Sequence, residues 1–218
     1  MKPETLLAQG LDELGLDYSE TQIDAFMVCL AELRKWSRAY NLTALSSDRD
    51  VVIKHFLDSL LYLPSLPSGP VMLADIGSGG GFPGVPVKIM RPDIHVSLVE
   101  PSRKKAAFLK NIIRRLRLEG TVVEEQRVED LAEHCRGKYD VILSRATFSL
   151  AQFLDRSCPC LKEGGVLIVS KGPKVAEELR ELEGSPYGAG AVEAVIDMKL
   201  PLSGDKRKLV RLSCTMKK

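Results

Sequence analysis

The stretch Val71 to Gly84, V-M-L-A-D-I-G-S-G-G-G-F-P-G, limits what this chain can fold into more than any other. A short apolar run ends in an acid, Asp75, and passes at once into a turn carrying Gly77, Gly79, Gly81 and Gly84. An apolar run bounded by turn signals reads as a buried parallel strand. The glycines allow positive φ and let a ligand come close to the main chain. Pro83 suits the first turn of a helix, where its missing N–H costs nothing. Strand, glycine turn and helix N-terminus together make a cradle for a nucleotide-type cofactor.

Two cofactor classes use such a cradle. Gly79-x-Gly81-x-x-Gly84 matches the dinucleotide fingerprint, a weak signal when it stands alone. The same residues read as D-x-G-x-G-x-G, Asp75 to Gly81, resemble the first motif of S-adenosylmethionine-dependent methyltransferases. Asp75 favours the second reading, because dinucleotide sites usually carry an apolar residue before the glycines. Glu100 ends the next apolar run, Ile94 to Val99, 25 residues after Asp75. A carboxylate there can accept both hydroxyls of a ribose. The remaining alternative is a structural turn flanked by two solvated acids.

The rest of the composition excludes more than it selects. A chain of 218 residues suits one α/β domain with an appendage. Its net charge of +2 is too small to argue for nucleic acid, so any basic surface must be local. Five cysteines, Cys29, Cys135, Cys158, Cys160 and Cys214, form no C-x-x-C pair and follow no secretory leader. That pattern predicts reduced thiols in a cytoplasm. The histidines His55, His95 and His134 are scattered, so no metal site is expected. No apolar run has the length of a membrane span.

Residues 1–68 read as a helical extension and 69–218 as the α/β core. Ser19-Glu20-Thr21-Gln22 has the form of a capping box, followed by a stripe of Ile23, Phe26, Met27, Leu30, Leu33 and Trp36. The stripe makes Trp36 a core residue rather than an RNA stacking platform. Val51 to Leu63 makes another helix, with His55 and Asp58 on one face; a local hydrogen-bonded pair is the plain expectation for them. Pro64 to Pro70 is a linker. Strands are then expected at Val71–Ala74, Val96–Val99, Val122–Val123, Val141–Ser144 and Val166–Ser170, with helices between. Ala191–Met198 and Lys208–Met216 would add a final hairpin.

In such a sheet ligands bind outside the carboxyl ends of the strands. Gly77 to Phe82 follows the first strand, with Phe82 able to cover a cofactor. Gln126 to Asp130 follows the third, where Val128 and Glu129 could hold an adenine. Ser144-Arg145-Ala146 and Lys171-Gly172-Pro173-Lys174 follow the fourth and fifth. Arg127, Arg145 and Lys171 thus meet on one rim, which suggests a polyanionic or electron-rich substrate; solvated rim charges are the alternative. A basic helix from Arg103 to Arg117 and the run Lys206-Arg207-Lys208 read mainly as solvated surfaces, with the first turn of the helix near enough to Glu100 to touch RNA.

These motifs closely resemble those of the bacterial 16S ribosomal RNA guanine-N7 methyltransferases, the glucose-inhibited division protein B family. The resemblance rests on Tyr40-Asn41-Leu42-Thr43, His55-x-x-Asp58-Ser59, Asp75-x-Gly77-x-Gly79 with Phe82-Pro83-Gly84, Arg127-Val128-Glu129, Ser144-Arg145-Ala146 and Lys171-Gly172. It implies a Rossmann-like class I methyltransferase fold, a mostly parallel twisted sheet of about seven strands with helices on both faces. It also implies S-adenosylmethionine as cofactor, S-adenosylhomocysteine as product, and a guanine of the decoding-region loop of the small ribosomal subunit as target. Cofactor contacts are expected from Asp75, Gly77, Gly79, Phe82, Glu100, Val128, Glu129 and Arg145. Asn41, His55, Arg127 and Lys171 are expected on the RNA, with Arg145, Arg127 and Lys171 the catalytic cations of a cytoplasmic monomer. Many relatives carry Asp at the position of Glu100 and Leu at that of Phe82.

The chemistry fits this residue set. Guanine N7 has a free lone pair at the major-groove edge, so attack on a sulfonium methyl needs no general base. Three rivals differ in one feature each. A nicotinamide oxidoreductase needs a Ser/Tyr/Lys set that is absent from these motifs. Pro159-Cys160 mimics the Pro-Cys pair of cytosine-C5 methyltransferases, which attack with a thiolate, but it lies before the fifth strand rather than after the fourth. A non-catalytic RNA-binding assembly factor would have no need of both cradle and cations.

Overall fold

The computed structural model describes residues 1–145, 148–172 and 175–214. Ala146, Pro173 and Lys174 of the motifs above, and the Thr215-Met216 end of the final expected strand, lie outside them. The chain begins with α1 (Pro3–Glu13) and α2 (Glu20–Tyr40). Ser19 and Gln22 cap α2 reciprocally: Ser19 Oγ accepts from the Gln22 N–H, and Gln22 Oε1 accepts from the Ser19 N–H. A third helical stretch runs through α3 (Asp48–Val51), a π-helical segment Val52–Leu57 and α4 (Asp58–Leu60).

The core alternates as expected: β1 (Met72–Ile76), α5 (Gly84–Met90), β2 (His95–Val99), α6 (Arg103–Leu116), β3 (Thr121–Glu124), α7 (Val128–Leu131), β4 (Tyr139–Arg145), α8 (Leu150–Ser157), β5 (Leu161–Lys171), α9 (Val175–Glu183), β6 (Val192–Lys199) and β7 (Lys206–Leu212). The described strands form one sheet in the order β3-β2-β1-β4-β5-β7-β6. The first five are parallel, and β7 runs antiparallel between β5 and β6. This is the Rossmann-like class I methyltransferase arrangement. From β1 the chain moves outward to β2 and β3, then returns to the other side of β1 as β4. That reversal opens a crevice at the carboxyl ends of β1 and β4, where such sheets bind ligands.

The two-residue period of the strands sorts the core into two layers. Leu73, Val96, Leu98, Val141, Leu143 and Ile168 face α1, α2, the π-helical segment, α5 and α6, and pack against Phe26, Leu33, Phe56 and Phe108. Ala74, Ile76, Ile142, Leu167 and Val169 face α8 and α9, and pack against Phe153, Leu154 and Leu182. The N-terminal helices therefore share a core with the sheet. Each fully buried Leu or Phe contributes about 1.5–3 kcal/mol, which fixes the extension over one half of the crevice.

One side chain sets the far side of that crevice. Tyr62, fully buried just after α4, donates its hydroxyl to the Ser144 carbonyl at 2.6 Å and accepts the Ser170 N–H at 2.9 Å. It bridges the carboxyl ends of β4 and β5, one residue before Arg145 and one before Lys171. The cysteines correct an expectation. The structure pairs Cys135 with Cys160 and Cys158 with Cys214, leaving Cys29 as a buried free thiol. Partners 25 and 56 residues apart leave no local spacing signal; the turn into β5 brings all four together.

Candidate active site

A cavity of about 420 Å³ opens at the carboxyl ends of β1, β2 and β3, lined by Gly77, Glu100, Arg127, Val128, Glu129, Phe148 and Arg156 among others. Its floor is built by backbone. Gly77, at φ 75°, turns the chain out of β1 in a conformation that side chains rarely adopt, and its N–H donates to the Val99 carbonyl. Glu100 is buried, with one carboxylate oxygen accepting the Gly79 N–H and the other the Ser102 N–H, both at 2.9 Å. Each oxygen keeps a second lone pair, so the carboxylate is aimed and still able to accept. A concave site with a fixed acceptor, the Gly77 turn and an apolar Val128 side suits a nucleoside-type cofactor.

Asp75 does something other than touch that cavity. It is fully enclosed; its Oδ2 accepts the Gly84 N–H at 2.9 Å and its Oδ1 has no partner among the described residues. Burial pushes its carboxyl up to about 7, against the pull of the Gly84 N–H and of Arg145. Asp75 thus ties the glycine turn to the start of α5, and the expected direct contact gives way to a support. Gly84 is tight for the same reason: a Cβ there would stand 2.5 Å from Leu98 Cδ2 and 2.8 Å from Asp75 Oδ2. Pro83 ends up one position earlier than the helix register predicts, as the cap of α5, after a cis Phe82–Pro83 bond.

Phe82 also lies elsewhere than expected. Its ring stacks on His55, centroids 4.4 Å apart and 16° from parallel, and packs against Phe56 under the N-terminal helices, away from the residues lining the cavity. The guanidinium of Arg145 stands 5.3 Å over the same ring. Arg145 Nη2 donates to His55 Nδ1 at 3.1 Å, and Nη1 reaches Asp58 Oδ2 at 3.3 Å and the Lys54 carbonyl at 3.1 Å. A guanidinium can only donate, so His55 Nδ1 carries no proton, and Nε2 donates to Thr43 Oγ1 at 2.7 Å. Burial and the Arg145 charge push His55 down to about 3. The expected His55–Asp58 pair is replaced by two separate grips on Arg145.

Asp58 has a second partner that sequence reasoning missed. Its Oδ1 accepts from Arg207 Nε at 2.7 Å. Arg207 was read as an exposed hairpin tip, but the β7 register turns it under the N-terminal helices. No local signal announces a pair 149 residues apart. Lys171 is the other correction. It is 9% exposed, paired with Glu178 at 2.8 Å and donating to the Phe148 carbonyl, so its charge is spent inside the protein. Of the three expected rim cations, Arg127 is the exposed one, capping α7 at the edge of the cavity. Asn41 is exposed at the end of α2.

Glu129 lines the cavity as expected but pairs with Arg156 at 2.8 Å, and Arg156 in turn lies 4.8 Å over the Phe148 ring. Arg156 and Phe148 carry no motif and were not expected here. On α6, Lys110 pairs with Glu125 and Arg115 with Glu32, while Arg114 donates to Asn111 and Arg103 stands 4.0 Å from Glu125, so part of that basic face is locally balanced. Cys160 is buried beside Cys135, outside the residues lining the cavity, so the thiolate-attack alternative has no thiol to use.

Comparison with known proteins matches the sequence to one family and the fold to several methyltransferases. The sequence model described as rRNA small subunit methyltransferase G matches residues 22–209. A protein named Ribosomal RNA small subunit methyltransferase G from Geobacter sp. strain M21 is 39% identical over 207 residues, covering 94% of each chain. Among solved structures, a methyltransferase from Geobacter sulfurreducens aligns with a TM-score of 0.56 at 15% identity, covering 90% of this chain and 98% of that one. The M. jannaschii TYW2 structure in complex with AdoMet aligns at a TM-score of 0.54 and 15% identity, covering 72% of this chain and 74% of that one.

Proposed function

The chain belongs to the rRNA small subunit methyltransferase G family, and from that premise we propose that it transfers the methyl group of S-adenosylmethionine to N7 of one guanine in the decoding-region loop of 16S ribosomal RNA. The observation that carries the reading is the join of two parts at one crevice: a backbone-built cavity with an aimed Glu100, and beside it Arg145 held by His55 and Asp58. Gly77, Glu100, Val128 and Glu129 would hold the cofactor. When bound, it supplies a sulfonium methyl, an electrophile that needs no acid or base to activate it.

The residues on the page then have one task, orientation, which contributes up to ~7–11 kcal/mol where alignment is good. Guanine N7 is unprotonated at neutral pH, so no residue has to remove a proton. His55 agrees with that demand: both ring nitrogens are engaged, and its depressed pKa makes it a poor base. Arg145 would present its guanidinium to guanine O6 or an adjacent phosphate, aimed by Asp58 and His55. Arg127 would meet phosphate at the cavity's edge. Lys171, neutralised by Glu178, would brace the β5 end and the Phe148 segment instead of meeting RNA.

The reading is tested with small-subunit RNA and particles from cells lacking the modification. The protein and methyl-labelled S-adenosylmethionine are added, and the RNA is then treated with borohydride and aniline. Label at one guanine with strand scission there is the expected result. Label without scission keeps the methyltransferase and overturns the N7 position.

A further inference from the structure

Helix α2 stops at Tyr40 because Asn41 takes the left-handed conformation, φ 51° and ψ 50°, which Asn tolerates better than most residues. The chain turns away and leaves the Tyr40 ring at the helix end, 46% exposed. Trp36 braces it from below: its ring lies 5.7 Å from Tyr40 and 5.7 Å from Phe108 in the core. The Lys104 ammonium stands 5.5 Å from the Tyr40 ring centroid. Lys104 is in the first turn of α6, four residues beyond the Glu100 that faces the cavity. Exposed Arg103 immediately precedes Lys104 on α6 and reaches an acid only at 4.0 Å, with its side chain 95% exposed.

We propose that Tyr40 and Lys104 form a nucleotide subsite for the substrate RNA, at which the tyrosine ring stacks an unpaired base next to the target guanine and Lys104 takes the phosphate of that nucleotide. The inference rests on the RNA reading above and deepens it. Trp36, the aromatic residue that the sequence offers first, is occupied in the core; the open ring is the next one along the helix. An exposed, braced aromatic ring with a cation at hand for the backbone is how proteins hold single-stranded RNA without reading its sequence. It also accounts for an aromatic residue left in solvent at the end of α2.

The test measures equilibrium binding of unmethylated small-subunit rRNA and of S-adenosylmethionine to the full chain. Tyr40→Ala is expected to weaken RNA binding about tenfold, within the range of base–aromatic stacking, with cofactor affinity unchanged. Tyr40→Phe keeps the ring and is expected to restore binding to within about twofold. Lys104→Ala is expected to reduce the slope of log affinity against log salt by about 0.7, the value for one phosphate contact on a single strand. Wild-type RNA affinity in Tyr40→Ala, or equal weakening in Tyr40→Phe, overturns the stacking site while leaving the methyltransferase reading intact. A wild-type chain that binds cofactor but no rRNA overturns that reading and the subsite with it.

Discussion

The two halves of the crevice are built by different means. At the ends of β1 and β2 the wall of the cavity is set by local backbone: Gly77 turning, Gly79 and Ser102 N–H groups on Glu100, and the Gly84 N–H on Asp75. At the ends of β4, β5 and β7 the rim is made of side chains from remote segments: Arg145 on His55 and Asp58, Arg207 on Asp58, and Tyr62 across Ser144 and Ser170. A backbone-built site is stiff and needs little else. A side-chain-built one exists only once the N-terminal helices are docked. The contrast separates cofactor holding from substrate positioning, and each half can be broken alone.

The largest effect is expected at Asp58. Asp58→Ala leaves Arg145 and Arg207 sharing a partly buried pocket without their acid, both about one-fifth exposed at the side chain (19% and 24%). Breaking a buried ion pair costs about 3–5 kcal/mol, and discounting for that exposure leaves about 2–4 kcal/mol. Chemical denaturation should show that loss, and methyl transfer should fall while cofactor affinity in the folded fraction holds. Glu100→Ala should do the reverse. It should weaken cofactor binding by about 100-fold in a calorimetric titration, because the ribose acceptor goes and two aimed N–H groups lose a charged partner. RNA affinity should be unaffected.

Tyr62→Phe is smaller. It removes one hydroxyl and strands the buried Ser170 N–H, costing about 1–3 kcal/mol. Because the hydroxyl bridges the ends of β4 and β5 beside Arg145, the rate of methyl transfer should fall more than cofactor affinity.

The pH dependence is subtler, since two buried groups oppose one another. Folded Asp75 keeps its proton up to about 7, whereas an ordinary aspartate releases it near 3.8. The folded state therefore binds the extra proton across that window, and stability falls as pH rises through it. Folded His55 refuses a proton down to about 3 where an ordinary histidine accepts one near 6.5, so stability falls as pH drops below 6.5. Each contributes at most about 1.4 kcal/mol per pH unit, and in the wild type they largely cancel between pH 4 and 6.5. Asp75→Asn should uncover a stability that rises with pH over that range, and His55→Asn one that falls. Urea midpoints at pH 5 and pH 6.5 check both signs.

The same contrast explains what could be read from the residues alone. The cradle was legible because Asp75, the glycines and Glu100 act within a short span, and the strand and glycine patterns report backbone directly. The alternation of strands and helices was legible for the same reason, as was the capping box at Ser19. The rim was not. Asp58 and Arg207 are 149 residues apart, and Tyr62 reaches partners 82 and 108 residues away. Arg145, Lys171 and Arg207 look alike in sequence, yet one is aimed by two partners, one is cancelled by Glu178, and one clamps Asp58. The cysteine pairs escaped for that reason too, and so did Arg156 and Phe148 at the cavity.

Arg145 is where the two halves meet, so it tests their separation most directly. The measurement is cofactor affinity and rRNA methyl transfer on one preparation of Arg145→Ala. The account predicts a cofactor dissociation constant within about twofold of wild type and a transfer rate lower by about 100-fold or more, the scale of losing one aimed donor. A variant that loses cofactor binding in step with transfer would contradict it, and would place Arg145 in the cofactor site rather than on the substrate's side of the crevice.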